Sequence, residues 1–262
     1  MVSELDQQDQ YSSNALIRGL EILKMFSAER PTLSLVEIAN NLGVNRTVPF
    51  RLLSTLQKYG YIKKDERTKR YQLSPQVLEL GFAYLNALQL PEIAQPYLEA
   101  LRDEVQASVY LSVLDRSDVV YVGHARVVGF RGIYVSVGMR FPAHATANGK
   151  LLLAYRPEEE VRNLMQGKEL KAFTQATNID LESLMQQLGK IKAQGYAYSD
   201  GEFQQGVRSV AVPVFNRSGE VIAAVNVVAS DALMDKDHML KVVLPKLRET
   251  GSKLSGIVGY TF

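Results

Sequence analysis

Basic side chains are concentrated in one short segment of this sequence, from Asn45 to Arg70. Eight lysines and arginines stand there against Asp65 and Glu66, whereas the whole chain has a net charge of only +2. Ammonium and guanidinium groups neutralise phosphates, and a clustered basic surface is typical of proteins that bind nucleic acid. Charge alone does not distinguish a nucleic-acid-binding surface from a solvated charged face. The secondary-structure elements that carry these residues must distinguish the two.

Groups suited to acid–base or metal chemistry are sparse. His124, His144 and His238 have no metal-ligand spacing, and the chain has no cysteine. Asp200 and Glu202 are two residues apart, which on a strand would place both carboxylates on one face for acid–base work; an exposed loop pair is the alternative. The G-x-S-x-G, Walker and G-x-G-x-x-G motifs are absent. We therefore expect no catalytic residue, no metal and no cofactor.

Two amphipathic segments lead into the basic stretch. Residues 14–28 have apolar side chains at helical spacing, with Asn14 available as an N-cap. In the segment LSLVEIANNLGV that follows, Ser34 and Glu37 have the spacing of a capping box, and Gly43 suits the end of a helix. A further amphipathic segment after Asn45 completes a predicted helix-turn-helix.

The second helix of such a motif reads base edges in the major groove with the residues near its N-terminus. Arginine suits guanine, asparagine suits adenine, and threonine or phenylalanine can contact the thymine methyl group. The predicted base-contacting residues are Asn45, Arg46, Thr47, Phe50 and Arg51.

A basic hairpin is predicted directly behind this helix, with strands over residues 61–64 and 70–74. Such a wing reaches phosphates or the minor groove. Its candidate DNA contacts are Lys63, Lys64, Arg67, Lys69 and Arg70. We predict a winged helix-turn-helix domain over residues 12–74, with double-stranded operator DNA as its partner.

The next segment, residues 75–107, is predicted to be helical. Residues 75–89 have an apolar stripe, and a second helix follows Pro91. The stripe could fold onto the preceding domain or pair with a second copy of the chain. Dimerisation is favoured, because helix-turn-helix proteins commonly bind two-fold-related half-sites.

From residue 108 the hydrophobic period changes to that of strands joined by hairpins, with helices between them. Strands are predicted at VYLSVL, VVYVG, residues 132–138, VRSVAVPVF and EVIAAVNVVA. Helices are predicted from about Thr146, at 158–166 and 180–194, and from about Asp237 to Ser255. The pattern predicts a mixed α/β domain over 108–262, so the fold class of the chain is α+β.

The chain has ordinary globular composition, with 46% hydrophobic and 22% charged residues. Its first residues are polar and acidic, and no window approaches the roughly 18 consecutive apolar residues of a membrane span. We expect a cytoplasmic protein without a membrane partner.

The chain from about Asn14 to Ile257 resembles the IclR-type transcription regulators. Five segments carry the resemblance: RGLEILKMF, LSLVEIANNLGV…RLLSTLQKYGYI, RYQLSPQVLELG, VGMRFPAHATANGKLLLAY and SDGEFQQGVRSVAVPVF…AAVNVVAS. The resemblance implies a GAF-like effector domain, dimers that often pair into tetramers, and control of a catabolic operon by a small organic acid.

The resemblance also implies where the effector binds. Its pocket would be lined by Ala147, Asn148, Gly149, Asp200, Ser209, Asn226 and Val228. Backbone N–H groups at a helix start near Asn148 would suit a carboxylate. Asn226 and Val228 stand where some members have serines, which suggests a larger or less polar ligand. The VGMRFPA segment is similar to the subgroup that answers to aromatic acids such as protocatechuate or hydroxybenzoate.

Three functions compete at this point. The favoured one is a ligand-responsive transcription regulator that binds an aromatic or short aliphatic acid. The first alternative is an enzyme acting on such an acid, tethered to DNA by the winged helix. The second is a protein-binding scaffold, against which the basic segment argues.

Overall fold

The computed structural model describes residues 12–127, 135–167 and 169–259. The chain divides into two compact units, residues 1–84 and 85–262. The boundary follows Tyr84, inside the helix Val77–Leu88. Each unit has its own hydrophobic core.

Among its described residues, from position 12 onward, the first unit contains three helices, a two-stranded antiparallel hairpin and the start of a fourth helix. In chain order these are α1 (Asn14–Lys24), α2 (Leu35–Leu42), α3 (Thr47–Lys58), β1 (Ile62–Lys64), β2 (Tyr71–Leu73) and α4 (Val77–Leu88). Its core is built from Ile22, Leu33, Ile38, Leu53, Ile62 and Tyr71. The predicted helix-turn-helix and hairpin are both present.

Local hydrogen bonds set the limits of these helices. The Glu37 N–H donates to Ser34 Oγ at 3.3 Å and the Ser34 N–H donates to Glu37 Oε2 at 2.7 Å, which is the expected capping box. Gly43 ends α2 at φ 64°, a conformation that glycine adopts without strain. The Thr47 N–H donates to Asn45 Oδ1 at 3.2 Å where α3 begins. At α1 the expectation is wrong by one residue, because Ser13 and not Asn14 caps the helix.

In the part of the chain that the structure describes, the second unit is built on a six-stranded antiparallel sheet with the order β5-β4-β3-β8-β7-β6. The strands are β3 (Ser108–Asp115), β4 (Asp118–Ala125), β5 (Arg140–Pro142), β6 (Ala197–Asp200), β7 (Val207–Phe215) and β8 (Val221–Ser230). The central pair β3 and β8 joins residues more than a hundred positions apart, with Tyr110 opposite Asn226.

Helices cover both faces of this sheet. They are α5 (Leu90–Val105), α6 (Ala147–Ala154), α7 (Glu158–Met165), α8 (Leu181–Gln194) and α9 (Leu244–Ile257). Successive residues of a strand point to opposite faces. Val109 and Leu111 accordingly pack in one core with residues of α5 and α9, and Tyr110 packs in a second core with residues of α6 and α8. The predicted α+β fold class is confirmed.

Two details of this unit differ from the sequence-based expectation. The strand predicted over 132–138 is absent from its described part, Val135–Gly138, because Gly138 takes φ 89° in a turn; residues 132–134 lie outside the described residues. The helix predicted from about Asp237 to Ser255 is not continuous, because a π turn at Met239–Val243 separates the short helix Lys236–His238 from α9. Pro245, which has no N–H to donate, follows this turn and accounts for the break in the regular hydrogen bonds.

No helix within the described ranges is long and apolar enough to cross a membrane.

Candidate functional sites

The recognition helix α3 buries one side and exposes the other. Pro49 and Leu53 are buried against the core of the first unit. The opposite side chains recur at three- and four-residue spacing and are all exposed: Thr47, Phe50, Arg51, Ser54 and Lys58. Phe50 is 53% exposed, so its ring is available for contact with a partner.

The sequence predicted base contacts for Thr47, Phe50 and Arg51 but not for Ser54 and Lys58. The missed signal is helical periodicity, since Ser54 is seven residues after Thr47 and both lie on one face. Asn45 and Arg46 are also exposed, just before the helix. The structure therefore gathers all five predicted base-contacting residues at one end of α3, while their contacts with DNA stay a prediction.

The wing residues differ in how free their side chains are. Lys63 and Arg67 are exposed. Lys64 lies over the Tyr71 ring at 5.8 Å, and Lys69 pairs with Glu66 at 2.8 Å on the surface.

Arg70 is held inside the first unit. Its guanidinium donates to Thr32 Oγ1 and to the Thr32 carbonyl oxygen, both at 2.9 Å. It also pairs with Glu37 at 2.9 Å. Arg70 thus fastens the wing to the loop before α2, which sequence alone did not indicate.

A cavity of about 50 Å³ lies in the second unit, between the sheet and the N-terminus of α6. One water molecule needs roughly 10–15 Å³ of such space, so the cavity holds several waters or one small organic molecule. Its floor is the face of the sheet that carries Tyr110, Ser209, Asn226 and Val228. None of the described residues that line it is charged.

The N-terminus of α6 forms one wall. Thr146 caps the helix by accepting the Gly149 N–H at 3.2 Å, and its carbonyl oxygen accepts the Lys150 N–H at 2.9 Å. The N–H groups of Ala147 and Asn148, at the first two positions, have no acceptor within the helix. Both residues line the cavity, so the positive end of the helix dipole adjoins it.

Two amide side chains face the cavity and are almost fully buried. Asn148 Nδ2 donates to Ser112 Oγ at 2.8 Å, and Asn226 Nδ2 donates to Ser209 Oγ at 3.0 Å. Asn226 is 1% exposed, and its Oδ1 has no hydrogen-bond partner. The floor thus contains an acceptor that is shielded from bulk water and unsatisfied.

Aromatic rings form the remaining wall. The ring centres of Tyr110 and Tyr121 are 5.6 Å apart and those of Tyr121 and Phe141 are 5.5 Å apart, both edge to face. Phe203 lies 4.6 Å from Phe141. Burial raises the pKa of Tyr121 far above that of an exposed tyrosine, so its hydroxyl keeps its proton.

Phe203 and Gln204 belong to the loop of residues 201–206, which closes the cavity beside α6. The loop is fastened by Glu202, whose Oε1 accepts from Lys150 Nζ at 2.5 Å. Lys150 is fully buried on α6, and this burial lowers the pKa of its ammonium group. Thr177 Oγ1 donates to the Glu202 carbonyl oxygen at 2.6 Å.

Of the seven predicted effector residues, five line the cavity: Ala147, Asn148, Ser209, Asn226 and Val228. Gly149 lies one position deeper in α6, where a Cβ atom would come 2.3 Å from the Ala143 carbonyl oxygen. Asp200 lies outside the cavity and pairs with Arg208 at 3.1 Å. Whether these residues bind an effector stays a prediction.

Sequence reasoning missed ten further lining residues: Tyr110, Tyr121, Val135, Phe141, Ala145, Thr146, Ser199, Phe203, Gln204 and Val207. Tyrosine and serine recur in the strands at the period of two that marks one face of a sheet, and this signal was available. The position of Phe203 in a loop depends on the buried Lys150–Glu202 pair, which joins residues 52 apart and leaves no local pattern.

A helix-turn-helix with a basic wing, followed by a unit with a partly open cavity, defines the winged-helix transcription regulators that carry a pocket. Two family profiles cover most of the chain. Residues 15–66 match the IclR helix-turn-helix domain, and residues 82–256 match the bacterial transcriptional regulator IclR C-terminal domain. The chain belongs to the IclR family of bacterial transcription regulators.

Known proteins agree with this assignment. The chain is 36% identical to the Pca regulon regulatory protein of Pseudomonas putida, over 89% of this chain and 80% of that protein. A transcriptional regulator from Rhodococcus sp. RHA1 matches with a TM-score of 0.82 and 32% identity, over 94% of this chain and 98% of that one.

A third match concerns the second unit. It is the inducer-binding domain of the PobR transcription factor from Acinetobacter, crystallised as a double mutant with 3-hydroxybenzoic acid. The TM-score is 0.60 and the identity 31%, over 64% of this chain and 98% of that one.

Proposed function

We propose that this protein controls transcription in response to a small aromatic carboxylic acid that binds in the cavity of the second unit. The observation that carries the proposal is that the α6 N-terminus, an uncharged polar floor and an aromatic wall surround one partly open cavity. The complex of the related inducer-binding domain with a hydroxybenzoic acid supports the same class of ligand.

The carboxylate binds at the N-terminus of α6. The N–H groups of Ala147 and Asn148 supply hydrogen bonds there, and the helix dipole favours negative charge. The ring of the acid packs against the Tyr121 and Phe141 edges, because aromatic rings prefer edge-to-face contacts. The predicted effector residues Ala147, Asn148, Ser209, Asn226 and Val228 contact the acid directly, and Gly149 supports the helix turn.

Residues 12–74 bind operator DNA, residues 75–107 link and dimerise, and residues 108–262 bind the acid. α3 enters the major groove with Asn45, Arg46, Thr47, Phe50 and Arg51, and the wing contacts the backbone. The acid acts through its different affinity for two states of the protein, only one of which binds the operator well. The acid is released chemically unconverted. The protein works in the cytoplasm, where its DNA lies.

The protein works as a dimer or a dimer of dimers. α4 has no fully buried residue, and Leu78, Leu80, Phe82 and Tyr84 are each more than half exposed. Apolar surface of this kind is covered in functional proteins. Sedimentation of Leu80→Glu should give a smaller species than the parent, whereas Leu233→Glu, at an exposed position of the second unit, should not. A parent protein that is already monomeric would contradict the dimer.

Thermal unfolding of the full chain against aliphatic and aromatic carboxylic acids tests the sensor. A ligand that binds only the folded protein stabilises it by about 2.7 kcal/mol at a hundred times its Kd. We expect a concentration-dependent rise in Tm with an aromatic acid and recovery of that acid unchanged. Conversion of the acid would instead support an enzyme, and no shift with any acid would overturn the proposed site.

A further inference from the structure

We infer that a second small-molecule site lies at the free edge of the sheet, and that it binds a free α-amino acid. The site is a cleft of about 610 Å³ between α8 and strand β6. None of its described lining residues lines the cavity beside the N-terminus of α6, so the two sites are separate. The second site goes beyond the proposed function and does not depend on it.

Two buried oxygen atoms of this cleft have no hydrogen-bond partner within the described residues. They are Gln187 Oε1 on α8 and Glu202 Oε2 in the loop of residues 201–206. Glu202 is 9% exposed, and its other carboxylate oxygen accepts from Lys150. A buried acceptor that has lost its hydrogen bond to water gains stability from any new donor. Gln187 is half-buried, so a rotation of its side chain turns the oxygen towards an N–H group of a ligand in the cleft.

The cleft also contains the unpaired edge of β6, which ends the sheet in the described part of the chain. The Gly201 N–H donates to the Val207 carbonyl oxygen at 2.9 Å, towards β7. Hydrogen-bonded residues alternate along an antiparallel pair, so the backbone groups of Tyr198 and Asp200 point away from β7. These are the two β6 residues that line the cleft. Their backbone donors and acceptors suit the main-chain groups of an amino acid.

The charges of the cleft select a zwitterion. Its two carboxylates, on Asp200 and Glu202, are each paired with a basic side chain of the same unit. Lys190 is exposed one turn after Gln187 on α8 and forms no ion pair within the described ranges. A matching ligand therefore carries N–H donors for the buried oxygens and a negative charge for Lys190. The ammonium and carboxylate groups of an α-amino acid supply both.

The test is thermal unfolding of the full chain with the common L-amino acids, followed by calorimetric titration of the one that raises the Tm most. We expect its N-acetyl derivative, which lacks the ammonium group, to bind at least about tenfold more weakly. Its α-amide, which lacks the carboxylate, should also bind more weakly. Binding of none of the amino acids would overturn the site, and equal binding of either derivative would overturn the zwitterion as its ligand.

Gln187→Leu tests the buried oxygens. It removes an acceptor without a partner and keeps a similar volume, so the Tm of the ligand-free protein should stay the same or rise. The affinity for the amino acid should fall by about tenfold. A lower Tm of the ligand-free variant would show that the amide already has a partner in the fold and would contradict the inference, as would an unchanged affinity.

Lys190→Met tests the carboxylate end of the site. Lys192→Met is the matched control, because Lys192 is an exposed lysine of the same helix that does not line the cleft. We expect Lys190→Met to weaken the amino acid roughly two- to fivefold, the range of an exposed ion pair, and Lys192→Met to match the parent. Equal effects of the two substitutions would remove Lys190 from the site.

Ser209→Ala separates the cleft from the cavity, because Ser209 lies on the cavity floor. This variant should bind the amino acid as the parent does, and Gln187→Leu should keep the affinity for the aromatic acid. Loss of amino-acid binding in Ser209→Ala but not in Gln187→Leu would place the amino acid in the cavity and overturn the second site.

Discussion

Gly149 shows how closely α6 approaches the chain before it. A Cβ atom at this position would lie 2.3 Å from the Ala143 carbonyl oxygen and 2.6 Å from Thr146 Oγ1. Neither distance is compatible with van der Waals contact, and the first atom belongs to the backbone. Glycine here is therefore a packing requirement of the cavity wall, although it does not itself line the cavity.

We expect Gly149→Ala to lower the free energy of unfolding by about 3 kcal/mol, the upper end of the usual cost of overpacking. Urea unfolding of the second unit measures it. Gly189→Ala is the control, since Gly189 lies within α8 with no atom near its missing Cβ. Alanine there should stabilise by about 0.5–1 kcal/mol. Similar effects of both substitutions would show that the close approach of α6 to the Ala143 carbonyl oxygen does not restrict position 149 to glycine.

The capping box of α2 makes a prediction about pH. Hydrogen bonds from Ser34 and then from Arg70 lower the pKa of Glu37 from its usual 4.5 to about 2. Because the pKa is lower in the folded protein, the stabilisation is complete above pH 4.5 and is lost as the pH falls towards 2. Glu37→Gln should therefore speed amide hydrogen exchange in α2 at pH 7 and much less at pH 2. An equal effect at both pH values would disprove the role of the carboxylate.

At this scale the sequence predicts residue types better than contacts. Asn148, Ser209 and Asn226 were selected by resemblance and do line the cavity, whereas Asp200 pairs with Arg208 outside it. Asp200 directly follows the lining residue Ser199 in β6, and the alternation of side chains along a strand turns it to the opposite face. The unpartnered oxygen of Asn226 is a property of the packed structure and has no sequence signal.

Among the elements, the loop of residues 201–206 depends most on a single long-range contact. Lys150 and Glu202 form an ion pair whose lysine is fully buried, and Phe203, the residue after Glu202, lines the cavity. Removing one partner of a buried pair leaves the other charge without compensation, at a cost of about 3–5 kcal/mol. The pair therefore positions the wall that carries Phe203.

We expect Lys150→Met to destabilise the second unit by about that amount and to weaken acid binding. The double variant Lys150→Met, Glu202→Leu should recover much of the stability, because no lone charge remains. The surface pair of Lys253 with Glu249 offers the comparison: Lys253→Met should change stability by less than about 1 kcal/mol. A double variant no more stable than Lys150→Met would refute the uncompensated charge as the cause.

Regular elements with strong periodicity were predictable, and irregular ones were not. Both ends of α2 are predicted correctly, from Ser34 and Glu37 at its start and Gly43 at its end. The hairpins and the helix after Thr146 are likewise predicted from their hydrophobic periodicity. The turn at Gly138 was mistaken for a strand, because alternating apolar residues continue through it. The π turn before Pro245 arises from one missing N–H, which the sequence shows only in retrospect.

On the scale of the whole molecule, the basic segment should determine how DNA binding depends on salt. Each phosphate contact contributes about 0.9 to the slope of log affinity against log salt. Lys63→Ala should reduce that slope by about one and weaken binding to all DNA sequences alike.

Arg51→Ala should weaken binding to the operator alone, by about 1–3 kcal/mol. Titration of operator and random DNA at several salt concentrations separates the two, with Lys253→Ala as a control that should match the parent. Arg51→Ala with unchanged operator affinity would remove that residue from the recognition surface.

The cavity floor is assembled from strands far apart in the chain, since β3 at Ser108–Asp115 pairs with β8 at Val221–Ser230. The unit that carries α3 and the wing is contained within the first 84 residues. A ribosome adding about 5–20 residues per second takes roughly 7–30 seconds to make the chain from Leu85 to Ser230. A nascent chain therefore completes its DNA-binding unit before the cavity exists. During that interval no acid can bind there and affect DNA binding.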